Sequence, residues 1–203
     1  MTGNTIHKTP MRSRQLVSSR NLRKTFMIFT EGQTEEGYFK KFKVRCKTIT
    51  GGNALRIVEE AIIQKNNIKK TIDEYWVVFD KDETSKNDFL KAIKLAIDNQ
   101  LNVAFSSEAF EIWWLFHFEE IAAPIQRKEY EKRLRKHLPD YSIREKGLNQ
   151  GERMWMLLDK FMGIGIANAK MAHSKFEHPE NAFDQSVTTV YALVESLTAN
   201  MFR

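Results

Sequence analysis

The run Tyr75–Phe79 (YWVVF) is apolar throughout and is followed directly by Asp80. A run of this kind, rich in β-favouring residues, reads as a strand buried on both faces. Covering both faces of a strand requires helices on either side of a sheet, so this segment alone points to α/β layering. Two further apolar runs, Thr25–Thr30 (TFMIFT) and Leu101–Phe105, read as neighbouring strands. Helical periodicity fills the intervals. Residues 34–46 place Tyr38, Phe39, Phe42 and Cys46 at helical spacing, with Glu35 and Glu36 in the first turn, where the helix dipole favours acids. Thr48–Thr50 reads as a short strand before the turn at Gly51-Gly52. Residues 54–66 carry Leu55, Val58, Ile62 and Ile63 on one side, and residues 87–99 carry Phe89, Ile93, Ala96 and Ile97, with Ser85 and Asp88 as a capping box. Residues 109–118 (AFEIWWLFHF) are apolar nearly all round and predict a deeply buried helix, with Trp113, Trp114 and His117 as core. Strands thus alternate with helices from 25 to 118, the pattern of a mainly parallel sheet.

The character changes after Pro124. Helices are predicted over 127–137, over 151–171 with a break at Gly163 and Gly165, and over 186–200, with a polar loop at Pro139–Gly151 and no β signal. The expected organisation is a disordered basic tail (1–24), an α/β domain (25–122) and a helical extension packed on it (123–203).

Charge separates the tail from the rest. The chain has 32 Lys and Arg against 26 Asp and Glu. Residues 1–24 hold Lys8, Arg12, Arg14, Arg20, Arg23 and Lys24 and no acid, so the net charge of +6 resides in the tail. An arm of this kind binds nucleic acid or serves only as a solubilising tail. A second excess of cations lies in 127–146. There Arg127, Lys128, Lys132, Arg133, Arg135, Lys136, Arg144 and Lys146 face Glu129, Glu131, Asp140 and Glu145. Arg127 to Lys136 form either a phosphate-tracking helix face or a solvated one.

Several classes are excluded. No apolar run reaches the ~18 residues of a membrane span, and no N-terminal apolar segment marks a secretory signal. One cysteine, Cys46, makes neither an internal disulfide nor a multi-thiolate zinc site. The expectation is a cytoplasmic protein with no membrane partner. There is no G-x-x-x-x-G-K-[ST], H-E-x-x-H or G-x-S-x-G, so any ATPase or sensor component of its system is expected to be a separate protein.

Ligands of open α/β sheets bind beyond the carboxyl ends of the strands. Acids follow three of the predicted strands. Glu31-Gly32 follows the first, Asp80-Lys81-Asp82-Glu83 follows YWVVF, and Glu108, with Glu111 a turn further on, follows the last. Glu35 is a further acid near the first strand end. Crowded carboxylates repel one another unless a cation neutralises them, and hard oxygen donors suit Mg²⁺ or Mn²⁺. Asp80 and Asp82 sit two apart, so both point one way in extended backbone and can hold an ion between them. Glu31 completes that metal site or acts as general acid/base, and Gly32 allows close approach of a backbone or phosphate. Glu35, Glu108 and Glu111 are possible additional acids. Glu111 requires a partner, for which the metal cluster, His117 or an arginine are candidates.

An E-G dyad after the first strand and a D-x-D after a later one resemble the signature of Toprim domains. More narrowly, the chain resembles the RloB-like family, bacterial proteins associated with restriction and phage defence. Three ordered segments carry the likeness: Phe29-Thr30-Glu31-Gly32-Gln33-Thr34-Glu35 with Tyr38-Phe39; Val77 to Asp82; and Ser106 to Trp113 on through His117-Phe118. The family pattern has Asn-Pro where this chain has Ser107-Glu108. The resemblance implies a Toprim-like (Rossmannoid) fold and Mg²⁺-dependent phosphodiester chemistry on DNA or RNA. In it Glu31 is the general acid/base, and Asp80 and Asp82 are metal ligands. Two other readings stand beside it. One is a non-catalytic nucleic-acid-binding or assembly module. The other is a haloacid-dehalogenase-type phosphatase, whose D-x-D-x-T motif Asp80–Thr84 also resembles.

Overall fold

The computed structural model describes residues 23–81, 84–142, 144–176 and 178–202. Most of the basic tail, and with it the reading of that tail, lies outside the described residues, as do Asp82 and Glu83.

Four strands form one parallel sheet: β1 (Phe26–Thr30), β2 (Arg45–Thr48), β3 (Glu74–Asp80) and β4 (Asn102–Ser106), in the order β2-β1-β3-β4. The two most apolar strands, β1 and β3, are central, as two-sided burial requires. Register aligns their carboxyl ends: Thr30 pairs with Val78, and Asp80 with Ser106. Helices α1 (Gln33–Lys40), α2 (Ala54–Asn67), α3 (Lys86–Asp98) and α4 (Glu111–Phe116) follow successive strands. Ser85 caps α3, accepting the Asp88 N–H at 3.1 Å. Within α4, Ile112 to Phe116 are all buried. His117 is core as well: it packs edge-on against Trp113, Nδ1 lies 2.9 Å from the Trp113 carbonyl, and burial pulls its pKa down to about 4.

The helical region that follows comprises α5 (Arg127–His137), α6 (Leu148–Leu158), α7 (Met162–His173), α8 (Pro179–Ala182) and α9 (Val190–Met201). It packs on the sheet layers through α6 on α1, α7 on α4 and α9 on β4. Arg23 and Lys24 dock on this assembly, Arg23 donating to the Met201 carbonyl and Lys24 pairing with Glu74 at 2.8 Å.

Four local expectations are corrected. The first helix stops at Lys40, not at Cys46, because Lys43 adopts φ 58 and turns the chain; Cys46 lies in β2. Strand β2 is therefore Arg45–Thr48 and not Thr48–Thr50. It is a short, charged edge strand whose side chains carry little β signal. The break expected at Gly163 and Gly165 falls earlier, at a 3₁₀ turn over Asp159–Phe161. Gly165 instead lies inside α7 and makes room for His117, whose ring would be 2.8 Å from a Cβ there. Finally, the region beyond Pro124 contributes one antiparallel bridge, Thr188 to Ser106.

Helices α1 and α6 meet at backbone distance. A Cβ on Gly151 would lie 1.9 Å from the Thr34 carbonyl oxygen, and one on Gly37 would lie 2.1 Å from that of Leu148. Gly151→Ala is expected to force the helices apart at a cost of about 3 kcal/mol. For a chain of this size that is roughly 10 °C in melting temperature. An unchanged thermal melt would show that the close contact is dispensable.

Candidate active site

The carboxyl ends of β1 and β3 open into a cleft of about 410 Å³. Glu31, Glu35, Asp80 and Glu111 line it together with Arg127 and Lys146. Each acid arrives from a different element. Glu31 directly follows β1, and its N–H donates to the Val78 carbonyl at 3.1 Å, which extends the β1–β3 pairing by one residue. Its Oε2 accepts the Asp80 N–H at 3.0 Å, so the Glu31 carboxylate reaches across to the end of β3. Asp80 closes β3, and its Oδ2 accepts the Phe110 N–H at 3.2 Å, tying the strand end to the start of α4. Glu111 opens α4. Glu35 lies in the first turn of α1, and its Oε2 is buried with no hydrogen-bond partner among the described residues.

The space over Gly32 belongs to Glu35. A Cβ on Gly32 would stand 2.4 Å from Glu35 Oε2, so glycine there admits that carboxyl into the cleft. The far wall comes from the helical region: the Gly147 N–H donates to Thr34 Oγ1 at 3.0 Å, latching Lys146-Gly147 onto α1. Gly51 and Gly52, with φ of 79° and 122°, form the lip after β2.

The electrostatics are those of crowded acids. Burial, with the charges of Glu111 and Glu31, pushes the Glu35 pKa up to about 7, while Arg127 opposes the rise. Burial and the charges of Glu35, Glu31 and Glu111 raise Asp80 well above the usual carboxylate range. The folded chain therefore holds these protons more tightly than the unfolded chain does, and stability is lost as pH rises through the window. In metal-free buffer the loss runs from the ordinary value of 4.5 up to about 7 for Glu35. It is on the order of 3 kcal/mol for that group. Glu36 and Glu74, whose pKa values are lowered by hydrogen bonds and ion pairs, act below that window. The melting temperature in EDTA should thus fall between about pH 4.5 and pH 7, and Glu35→Gln should flatten the fall. A decline of full size in Glu35→Gln would assign it to another group.

Glu108 does not join the cleft. It adopts φ 63 and pairs with Lys81 at 3.5 Å, while Lys81 Nζ also donates to the Phe183 carbonyl at 2.9 Å. For Glu111, His117 is excluded as a partner, because its Nδ1 is engaged by the Trp113 carbonyl and its Nε2 packs over Gly165. Among the described residues no three His, Cys, Asp or Glu side chains are drawn into a ready coordination set. Among the described residues, the carboxylates that line the cleft are Glu31, Asp80, Glu35 and Glu111. The expected partner of Asp80 in ion binding, Asp82, lies outside the described residues.

The basic helix divides by position. Arg127, at the first turn of α5, lines the cleft. Arg133 pairs with Glu119 at 2.9 Å and Arg135 with Glu131 at 3.0 Å. Lys128, Lys132 and Lys136, four apart, stand exposed on one stripe. The sequence places Lys146 among the cations of 127–146 but not at the acids. It meets them only through the α1–α6 contact, which has no local signature.

The family model described as RloB-like protein matches residues 26–197. No curated protein and no solved structure matches the chain.

Proposed function

The chain belongs to the RloB-like family, and we propose that it is a divalent-metal-dependent nuclease of a bacterial restriction or phage-defence system. The observation that carries this reading is the convergence of acids from β1, α1, β3 and α4 in one cleft that also holds Arg127 and Lys146. Acids at the ends of parallel strands also support a Toprim-like arrangement. A cleft with carboxylates at its floor and cations on its wall suits a phosphodiester, whose negative oxygens meet Arg127 and Lys146.

The cleft fits a hard divalent ion by its chemistry. All its acidic donors are oxygens, one of them, Glu35 Oε2, is buried with no hydrogen-bond partner among the described residues, and burial with the like charges raises the pKa of Asp80. Asp80, Asp82 and Glu31 would hold Mg²⁺ or Mn²⁺, with Glu35 and Glu111 in support. Bound there, the ion supplies charge neutralisation and lowers the pKa of water. The protein's own groups do the rest. The Asp80 N–H orients the Glu31 carboxylate, which takes the proton of the attacking water. Arg127 and Lys146 hold the phosphate, and Lys128, Lys132 and Lys136 track the strand along α5 away from the cleft.

No helix among the described residues is long and apolar enough to cross a membrane. The deciding experiment incubates the protein with supercoiled DNA and with total tRNA, in Mg²⁺, Mn²⁺ or EDTA, beside Asp80→Ala. Metal-dependent cleavage lost in the variant is expected, and its substrate settles DNA against RNA. Absence of cleavage from folded protein would favour a binding or assembly module.

A further inference from the structure

A second cavity is lined by α6, the helix that starts at the cleft. It measures about 140 Å³ and lies between α6 and the turn that follows α5. Its apolar wall is Leu138, Pro139, Tyr141, Met154 and Leu157; Asp140 and Arg153 also line it, and Gln150 is its buried polar group. Gln150 is only 4% exposed, and its Oε1 has no hydrogen-bond partner among the described residues. A buried amide oxygen without a partner is costly and uncommon. It also has what a specific ligand needs, since one amide end offers both an acceptor and donors.

The volume sets the size of the occupant. Cavities of about 150 Å³ take a single aromatic ring. The amide narrows the chemistry to a flat ring with a donor and an acceptor on one edge. Tyr141, held edge-on to Trp114 at 5.9 Å, and Met154 form rigid, buried wall. The position narrows it further. Gly147, which lines the acid cleft, lies three residues before Gln150 at the start of the same helix. That is about 4.5 Å along the helix axis. Close packing of Gly151 on Thr34 fixes α6 against α1, which carries Glu35. One helix thus lines the cavity and, at its start, bounds the cleft.

The geometry points to a nucleobase-binding pocket: Gln150 reads the edge of one base while the adjoining phosphate lies in the acid cleft. The assignment rests on the nuclease reading for the identity of the neighbouring phosphate. The shared chemistry is the base itself, carried either by a strand or by a free mononucleotide.

The test is equilibrium binding in EDTA, so it does not depend on cleavage. Fluorescence anisotropy with labelled eight-residue homopolymers of A, C, U and G forms one arm, and competition by the four nucleoside monophosphates the other. The wild-type chain is expected to prefer one base by about tenfold or more. Gln150→Leu should bring all four within about twofold. Leu157→Trp, at the rim, should fill the cavity and weaken the preferred base while leaving Gln150 in place. Because Leu157 is 38% exposed, that variant decides the matter even if Gln150→Leu does not fold. Equal affinity of wild type for every base, or a preference unchanged in Leu157→Trp, would overturn the pocket. Base-selective binding of monophosphates in a chain that cleaves neither DNA nor RNA with Mg²⁺ or Mn²⁺ would keep the pocket and sink the nuclease reading. Cleavage without base preference would do the reverse.

Discussion

Glu31→Gln is expected to slow metal-dependent cleavage by about a thousandfold or more, within the range for loss of a general acid or base. Glutamine keeps the size of the side chain and an oxygen able to accept the Asp80 N–H, which now donates to Glu31 Oε2 at 3.0 Å. The β1–β3 junction should therefore hold, and so should the affinity for nucleic acid; the melt in EDTA should not fall, because Glu31 is one of the charges that crowd Glu35 and Asp80. What glutamine lacks is the basicity to take a proton from water. Single-turnover rates with saturating enzyme separate this loss from weaker binding. A rate within tenfold of wild type would remove Glu31 from the chemistry and leave it as a brace between two strand ends.

Asp80→Asn should have two opposite effects. Cleavage should be abolished, because the residue at the end of β3 is the central donor of the proposed ion site. The metal-free protein should at the same time become more stable. At neutral pH an ionised Asp80 is disfavoured by burial and by Glu35, Glu31 and Glu111, and asparagine removes that charge while retaining an acceptor for the Phe110 N–H. Wild-type protein should gain melting temperature on adding Mg²⁺. At a concentration a hundredfold above Kd the gain is about 2.7 kcal/mol, or roughly 5–10 °C for a chain of this length. Asp80→Asn should show a higher melt in EDTA and almost no gain with Mg²⁺. A variant that melts lower in EDTA, or that responds to Mg²⁺ as wild type does, would contradict the charge-crowding account of the cleft.

Both variants act where two strands end side by side, and the amino-acid sequence already makes that juxtaposition legible. Burial of a central strand on both faces demands an unbroken apolar run, so TFMIFT and YWVVF mark β1 and β3 and put Glu31 and Asp80 at their carboxyl ends. The charged helix over 127–137 is equally plain, because Tyr130 and Leu134 are its buried side. The edge strand β2 escapes a reading by pattern for the converse reason. Backbone pairing with β1 holds the strand, and its residues, Arg45 and Lys47 among them, are at most half-buried. The helical pattern also overruns the end of α1, because Lys43 turns the chain in a left-handed conformation that its side chain does not advertise.

Within the cleft, sequence distinguishes poorly between acids that face it and acids that turn away. Glu108 and Glu111 are three residues apart, yet the first pairs with Lys81 and the second lines the cleft. The backbone turn at Glu108 decides this. The helical region stands out as a separate run of helices, but nothing in its pattern shows that it completes the site. Lys146 and Gly147 come beside the acids because Gly37 and Gly151 let α6 lie against α1 at backbone distance.

The layers of the fold, and the strand ends that bear Glu31 and Asp80, follow from the chain alone, because burial is written in the apolar content of each segment. Which charges share a cleft, which acid lacks a hydrogen-bond partner among the described residues and which cavities open are matters of tertiary packing. Those properties depend on contacts between segments more than a hundred residues apart, such as Thr34 Oγ1 and the Gly147 N–H, and no local pattern encodes them.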